Sequence, residues 1–165
     1  VTPLGSTPTP PVPARAGEDL GLVDALAQLS FLVHNTLAEI AGQHDLSIIQ
    51  VRLLGILRDR KPTMNTLGRH LGLDKSSVSG LVDRAQRRGL VDRTVSATDR
   101  RAFQVSITDT GRQLVEQVAA GFTARIETLV AGLPDTDRKL LSQLAARIVT
   151  TDADRQGIDL RTDAV

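Results

Sequence analysis

Between Thr63 and Thr108 the spacing of apolar residues changes once, from helical to alternating, and that change restricts the fold more than anything else in the chain. Residues 63–71 place Leu67 and Leu71 on one face of a short helix opened by Thr63. Gly72 supplies a turn, and Asp74 caps a second helix with Leu73 and Val78 as its hydrophobic staple. After Gly89 the period becomes two. Val91, Arg93 and Val95 alternate with Asp92 and Thr94, then Phe103, Val105 and Ile107 with Gln104 and Ser106. The expectation is a helix-turn-helix followed by a hairpin with one buried face, a wing whose loop, 97–101, ends in Asp99-Arg100-Arg101. Such an order offers one helix to a major groove of duplex DNA and one basic loop to the neighbouring minor groove.

The second helix, 75–88, has two faces. At ~100° per residue Val78, Leu81, Val82 and Ala85 share the sector that meets a core, and Ser76, Gly80, Asp83 and Arg87 share the opposite one. Ser77 and Arg84 flank that outer sector on one side and Ser79 on the other. Serine hydroxyls suit base edges or phosphate oxygens, and arginines reach phosphate or guanine. Glycine inside a helix costs about 1 kcal/mol relative to alanine, so Gly80 on the outer face points to a backbone that must approach DNA closely. The amino end, Lys75-Ser76-Ser77, is expected to aim unpaired amides at phosphate. Asp83 is expected to orient Arg87, four residues on, and Arg88 to pair with a carboxylate of the wing or a helix. Thr63 and Asn65, at the start of the first helix of the pair, complete the candidate contacts outside the wing.

Charge agrees with this reading. The net charge is +1, yet the segment from Arg58 to Arg101 holds eleven basic residues against five acids, which leaves the flanks acidic. That is the layout of a binding head on a solvated scaffold. The absence of Cys excludes disulfides, thiolate metal sites and thiol redox sensing. With no Trp or Tyr and three Phe, recognition of single strands by base stacking is disfavoured. No stretch approaches ~18 apolar residues and the opening lacks a basic-then-apolar layout, so a cytoplasmic protein with no membrane partner is expected. His34, His44 and His70 have no nucleophile–base partner in the pattern and no phosphate loop is present, so no enzyme activity is expected. His34, Glu39 and His44 sit at spacings that share no helical face, so neither a metal nor a cofactor is expected.

Around this head the chain divides simply. Residues 1–17, rich in Pro and Thr, read as a disordered tail. Residues 18–45 read as an amphipathic helix, with Leu22, Val23, Leu26, Leu29, Val33, Leu37 and Ile40 at three- and four-residue steps. The head spans 46–108 and opens with a capping box, Ser47 to Gln50. Residues 109–152 read as two more amphipathic helices, the last with Leu140, Leu141, Leu144 and Ile148 on its inner face, and 153–165 as a polar tail. The terminal helices carry more apolar surface than a small head covers, so a homodimer interlocking the first, fifth and sixth helices is expected. The fold class is therefore mainly α with a small β-hairpin wing, a winged helix-turn-helix between N- and C-terminal dimerisation helices.

The run Arg88-Gly-Leu-Val-Asp-Arg93, the wing Asp99-Arg100-Arg101, a strand, and then Thr108-Asp-Thr-Gly-Arg112 resemble the MarR family of bacterial regulators from Leu46 to Arg112. The resemblance implies that Arg101 enters the minor groove, where narrow grooves concentrate negative potential, that Asp99 braces it or a neighbouring Arg, and that Arg100 is available for phosphate. Two positions depart from the pattern: Ala85 stands where Leu is frequent and Gly68 where Ala is frequent. The resemblance further implies a repressor of nearby genes that reads a pseudo-palindromic operator. It also implies a small anionic or phenolic effector bound between the dimer helices and the head, for which Phe31, His34, Leu37, Arg52 and Phe122 are candidates. The competing expectation is a winged helix that contacts protein alone. Salt-dependent duplex affinity separates the two, because phosphate contacts impose it.

Overall fold

The computed structural model describes residues 20–95 and 103–156. Within them the order is α1 (Leu22–Gly42), α2 (Ile48–Asp59), α3 (Met64–Leu71), α4 (Lys75–Arg87), β1 (Val91–Val95), β2 (Phe103–Ile107), α5 (Asp109–Val130) and α6 (Asp135–Gln156). The core lies around α2. Leu53, Leu54 and Leu57 are buried with Leu67 and Leu71 of α3, Val78, Leu81, Val82 and Ala85 of α4, Val91 and Val105 of the hairpin, and Val115 and Val118 of α5. Each fully buried leucine or valine contributes about 1.5–3 kcal/mol over an exposed one, which is what holds the short α3 in place.

Local signals set the helix ends. Gln50 reaches back to accept from the Ser47 N–H at 2.9 Å and from the Ser47 hydroxyl at 3.0 Å, fixing the start of α2. Thr63 caps α3 by accepting from the Thr66 N–H at 3.3 Å. Gly72 takes the left-handed conformation, φ 66°, and the chain turns back so that the Leu73 N–H donates to the Gly68 carbonyl at 2.9 Å. A methyl group on Gly68 would lie 3.0 Å from the Leu73 carbonyl oxygen, so the departure from alanine at this position belongs to a tight α3–α4 turn. Ala85, the other departure, is 1 % exposed within the core.

The hairpin is antiparallel with Val91 opposite Ile107, Arg93 opposite Val105 and Val95 opposite Phe103. The chain before α3 adds a third edge: the Val105 N–H donates to the Pro62 carbonyl at 3.0 Å, and Thr63 bridges Gln104. The buried face expected along the whole hairpin ends halfway. Val91 and Val105 are fully covered, whereas Val95 and Phe103 are 55 % and 53 % exposed, because the hairpin runs on beyond the helices that cover its base.

α5 packs against α1 and α2. Gly121 lies in this contact, where an added methyl would stand 3.2 Å from Ile40. The other face of α1 is open, with Leu22, Val23, Leu26, Leu29, Phe31 and Leu32 exposed. α6 corrects one expectation, its helix running past residue 152 to Gln156. Leu140, Leu141, Leu144 and Ile148, expected on its inner face, are exposed, as is every described side chain from Asp135 to Arg155 except Ala153. The tails 1–17 and 157–165 lie outside the described residues.

Candidate nucleic-acid interface

α4 shows the two faces its sequence requires. Val78, Leu81, Val82 and Ala85 are buried, Lys75, Ser76, Ser77, Arg84 and Arg87 are exposed, and Ser79, Gly80 and Asp83 lie half-buried along the edges. An open groove of about 350 Å³ runs along this surface from Ile49 and Leu73 past Ser77 and Gly80 to Arg84. A second concavity of about 620 Å³ brings the candidates Asn65 and Lys75 together with Arg69, an exposed cation that the sequence reading passed over. Its position on α3, four residues after Asn65, was the available signal. Thr63 is half-buried, its hydroxyl engaged with Thr66, so it serves the α3 cap before any outside partner.

The amino end of α4 is not a set of free amides. The Asp74 carboxylate accepts from the Ser76 and Ser77 N–H groups at 2.9 Å each, and from their hydroxyls at 2.6 and 2.7 Å. These serines therefore present acceptor lone pairs outward, not protons, which suits base amino groups better than phosphate. The hydrogen bond from the Ser76 hydroxyl, followed by those from Ser77, holds the Asp74 carboxyl well below the usual carboxylate range. A depressed folded-state value adds stability that is present above the unfolded value and lost as pH falls through the folded one. Melting curves of wild type and Asp74→Ala should therefore differ by a constant amount down to about pH 5 and converge below about pH 4, where the unfolded carboxylate protonates. A gap that persists undiminished at pH 2.5 would show that the capping charge is not what Asp74 contributes.

Two further ionic expectations are corrected. Asp83 does not orient Arg87. It pairs with Arg93 of β1 at 2.5 Å, because the register turns Arg93 inward over α4. Arg88 meets no carboxylate among the described residues. Its guanidinium donates to the Asp45 carbonyl at 2.6 Å and the His44 carbonyl at 3.3 Å, in the α1–α2 turn where Asp45 has φ 54°. Sequence reasoning missed both because each joins residues brought together by packing alone. Arg84 and Arg87 carry no ion pair among the described residues and remain open to an external anion. Asp99, Arg100 and Arg101 lie outside the described residues.

The effector candidates differ in burial. Phe31 and His34 are exposed on α1, Leu37 packs against the core, Phe122 is half-buried, and Arg52 turns to the end of α3, donating to the His70 carbonyl at 3.4 Å. Among the described residues no group of three or more His, Asp or Glu is placed to hold a metal ion. No described helix is long and apolar enough to cross a membrane.

The helix pair, the turn at Gly72 and the hairpin define a winged helix-turn-helix head flanked by long helices. Residues 44–102, the head and the approach to the wing, match the family model for the MarR family. YwaE of Bacillus subtilis (strain 168), an uncharacterized HTH-type transcriptional regulator, is 26% identical over 77 residues, 47% of this chain and 45% of that protein. The matched part thus spans about half the length of that relative. Among solved structures, the Staphylococcus aureus MepR–DNA complex superposes with a TM-score of 0.65 at 22% identity, covering 81% of this chain and 99% of MepR. CouR from Rhodococcus jostii RHA1, bound to p-coumaroyl-CoA, superposes with a TM-score of 0.64 at 25% identity, covering 78% of this chain and 91% of CouR.

Proposed function

We propose that the chain is a homodimeric transcriptional regulator, a ligand-responsive repressor that reads a pseudo-palindromic operator through α4 and the wing. The observation that carries this reading is α4 itself: one face is sealed into the core, and the other sets Ser76, Ser77, Gly80 and Arg84 along an open groove, with Lys75 and Arg87 exposed beyond them. The MepR fold, solved with DNA, supports the same use of this architecture. In each protomer α4 enters a major groove, with Asn65, Arg69 and Lys75 beside the flanking phosphates, and two protomers set their recognition helices about one DNA turn apart. Arg101, with Asp99 and Arg100, supplies the minor-groove contact.

Dimerisation is supported by apolar surface left exposed among the described residues, on α1 from Leu22 to Leu32 and on α6 from Leu140 to Val149. CouR, solved with p-coumaroyl-CoA, supports a small effector of aromatic and anionic character, with Phe31, His34 and Arg52 the exposed members of the candidate set. The reading is tested by titrating the chain against duplex from its own upstream region and against scrambled duplex at two salt concentrations. Selective affinity that falls steeply with salt is expected, and binding indifferent to both sequence and salt overturns it. For the dimer, Leu144→Glu should shift the chain from dimer to monomer mass in sedimentation and remove operator binding with it. A variant that stays dimeric places the interface elsewhere.

A further inference from the structure

We infer that Arg93 and Asp83 act together as a positioning pair that fixes the wing against the recognition helix, and that operator affinity depends on it. This rests on the regulator reading above. Period-two alternation puts Arg93 on the inward face of β1, between Val91, which is fully buried, and the exposed end of the hairpin. An apolar residue is the ordinary occupant of such a position. Here the guanidinium instead spans the gap to α4, pairing with Asp83 at 2.5 Å and donating to the Ser79 carbonyl at 3.2 Å. The two partners lie one helical turn apart and meet the same terminal nitrogen, Nη2, so one guanidinium end ties β1 to α4 at two points along the helix. The Arg93 side chain is 24% exposed, its Nε is buried with no hydrogen-bond partner, and Asp83 is 45% exposed. Arg93 is therefore turned into the crease between wing and helix and not outward to a ligand.

The pair also answers why an acid stands on a helix that must approach phosphates. Taken alone, the Asp83 charge opposes DNA, and removing it should tighten binding. If Asp83 works as the anchor of Arg93, removing it loosens the hairpin at its root and binding weakens. The two readings differ in sign.

The test uses the full chain and a duplex that the wild type selects from a random-sequence pool. Asp83→Asn, Arg93→Gln and the double variant are each titrated at one salt concentration, with melting curves to establish folding. Each single variant is expected to lose roughly tenfold in affinity, and the double variant no more than either, since members of one contact do not add. Tighter binding by Asp83→Asn, or losses that multiply in the double variant, overturns the inference while leaving the regulator reading intact. A variant that fails to melt cooperatively is replaced by Arg93→Met. That variant keeps an apolar stem without the charged head and should bind more weakly than wild type, and wild-type affinity from it overturns the inference equally. A wild type that selects no duplex overturns the regulator reading instead, and the role given to the pair with it.

Discussion

Gly80→Gln is expected to melt later than the wild type and to bind its operator roughly tenfold or more weakly, the equivalent of ~1.4 kcal/mol. A Cβ built at Gly80 meets within 4 Å only a terminal guanidinium nitrogen of Arg84, at 3.3 Å, and that flexible end moves aside. Nothing inside the chain therefore requires glycine at this point. A residue of ordinary helix propensity should stabilise α4 by up to about 1 kcal/mol, or roughly 2–4 °C in a chain of this size. The disadvantage of a side chain must then lie outside the molecule, against whatever the groove beside Gly80 receives. Thermal melting and duplex titration of the same preparation read both effects. Unchanged affinity would remove α4's outer face from the interface. A lowered melting temperature would mean that Gly80 serves the chain's own packing.

Gly111→Ala carries the largest expected effect on stability. A methyl there would fall inside the contact distance of the Leu90 carbonyl oxygen and 2.9 Å from the Ile107 side chain. Neither neighbour can withdraw easily. The Leu90 carbonyl accepts from the Thr108 N–H at 3.1 Å, and Thr108 in turn donates its hydroxyl to the Gly89 carbonyl at 2.7 Å while capping Gly111 at 3.0 Å. This knot joins the end of α4, the base of the hairpin and the first turn of α5. Forcing it open should cost about 3 kcal/mol and lower the melting temperature by roughly 6–12 °C. Gly55→Ala, inside α2 with no atom within 4 Å, is the control: it should gain about 0.5–1 kcal/mol from helix propensity alone. If the two substitutions move stability in the same direction, the crowding at Leu90 is not what decides the first.

Much of this architecture was legible because its signals are local. Thr63 and Asp74 cap helices through bonds to residues two or three positions on, and both helices begin where those residues stand. The inward face of α4 follows from its period, and Val78, Leu81, Val82 and Ala85 are buried as that period requires. The serines show where local reading stops. Their place at the start of α4 was legible, but the engagement of both hydroxyls by the one Asp74 carboxylate depends on rotamers that the letters do not carry. Arg69 was passed over because its neighbour Lys75 is brought beside it only by the turn at Gly72.

The sequence by itself determined the order of helices and strands, the helix starts, the two faces of α4 and the basic middle of the chain, because periodicity and capping act over a few residues and charge is additive. Only the tertiary structure decided that Arg93 holds Asp83, that Arg88 crosses 43 residues to the Asp45 carbonyl, that the hairpin's buried face stops at its midpoint, and that the apolar residues of α6 stand exposed among the described residues. Each of these depends on which distant surfaces meet. A guanidinium on a long flexible stem takes whichever acceptor the packing brings within about 3 Å.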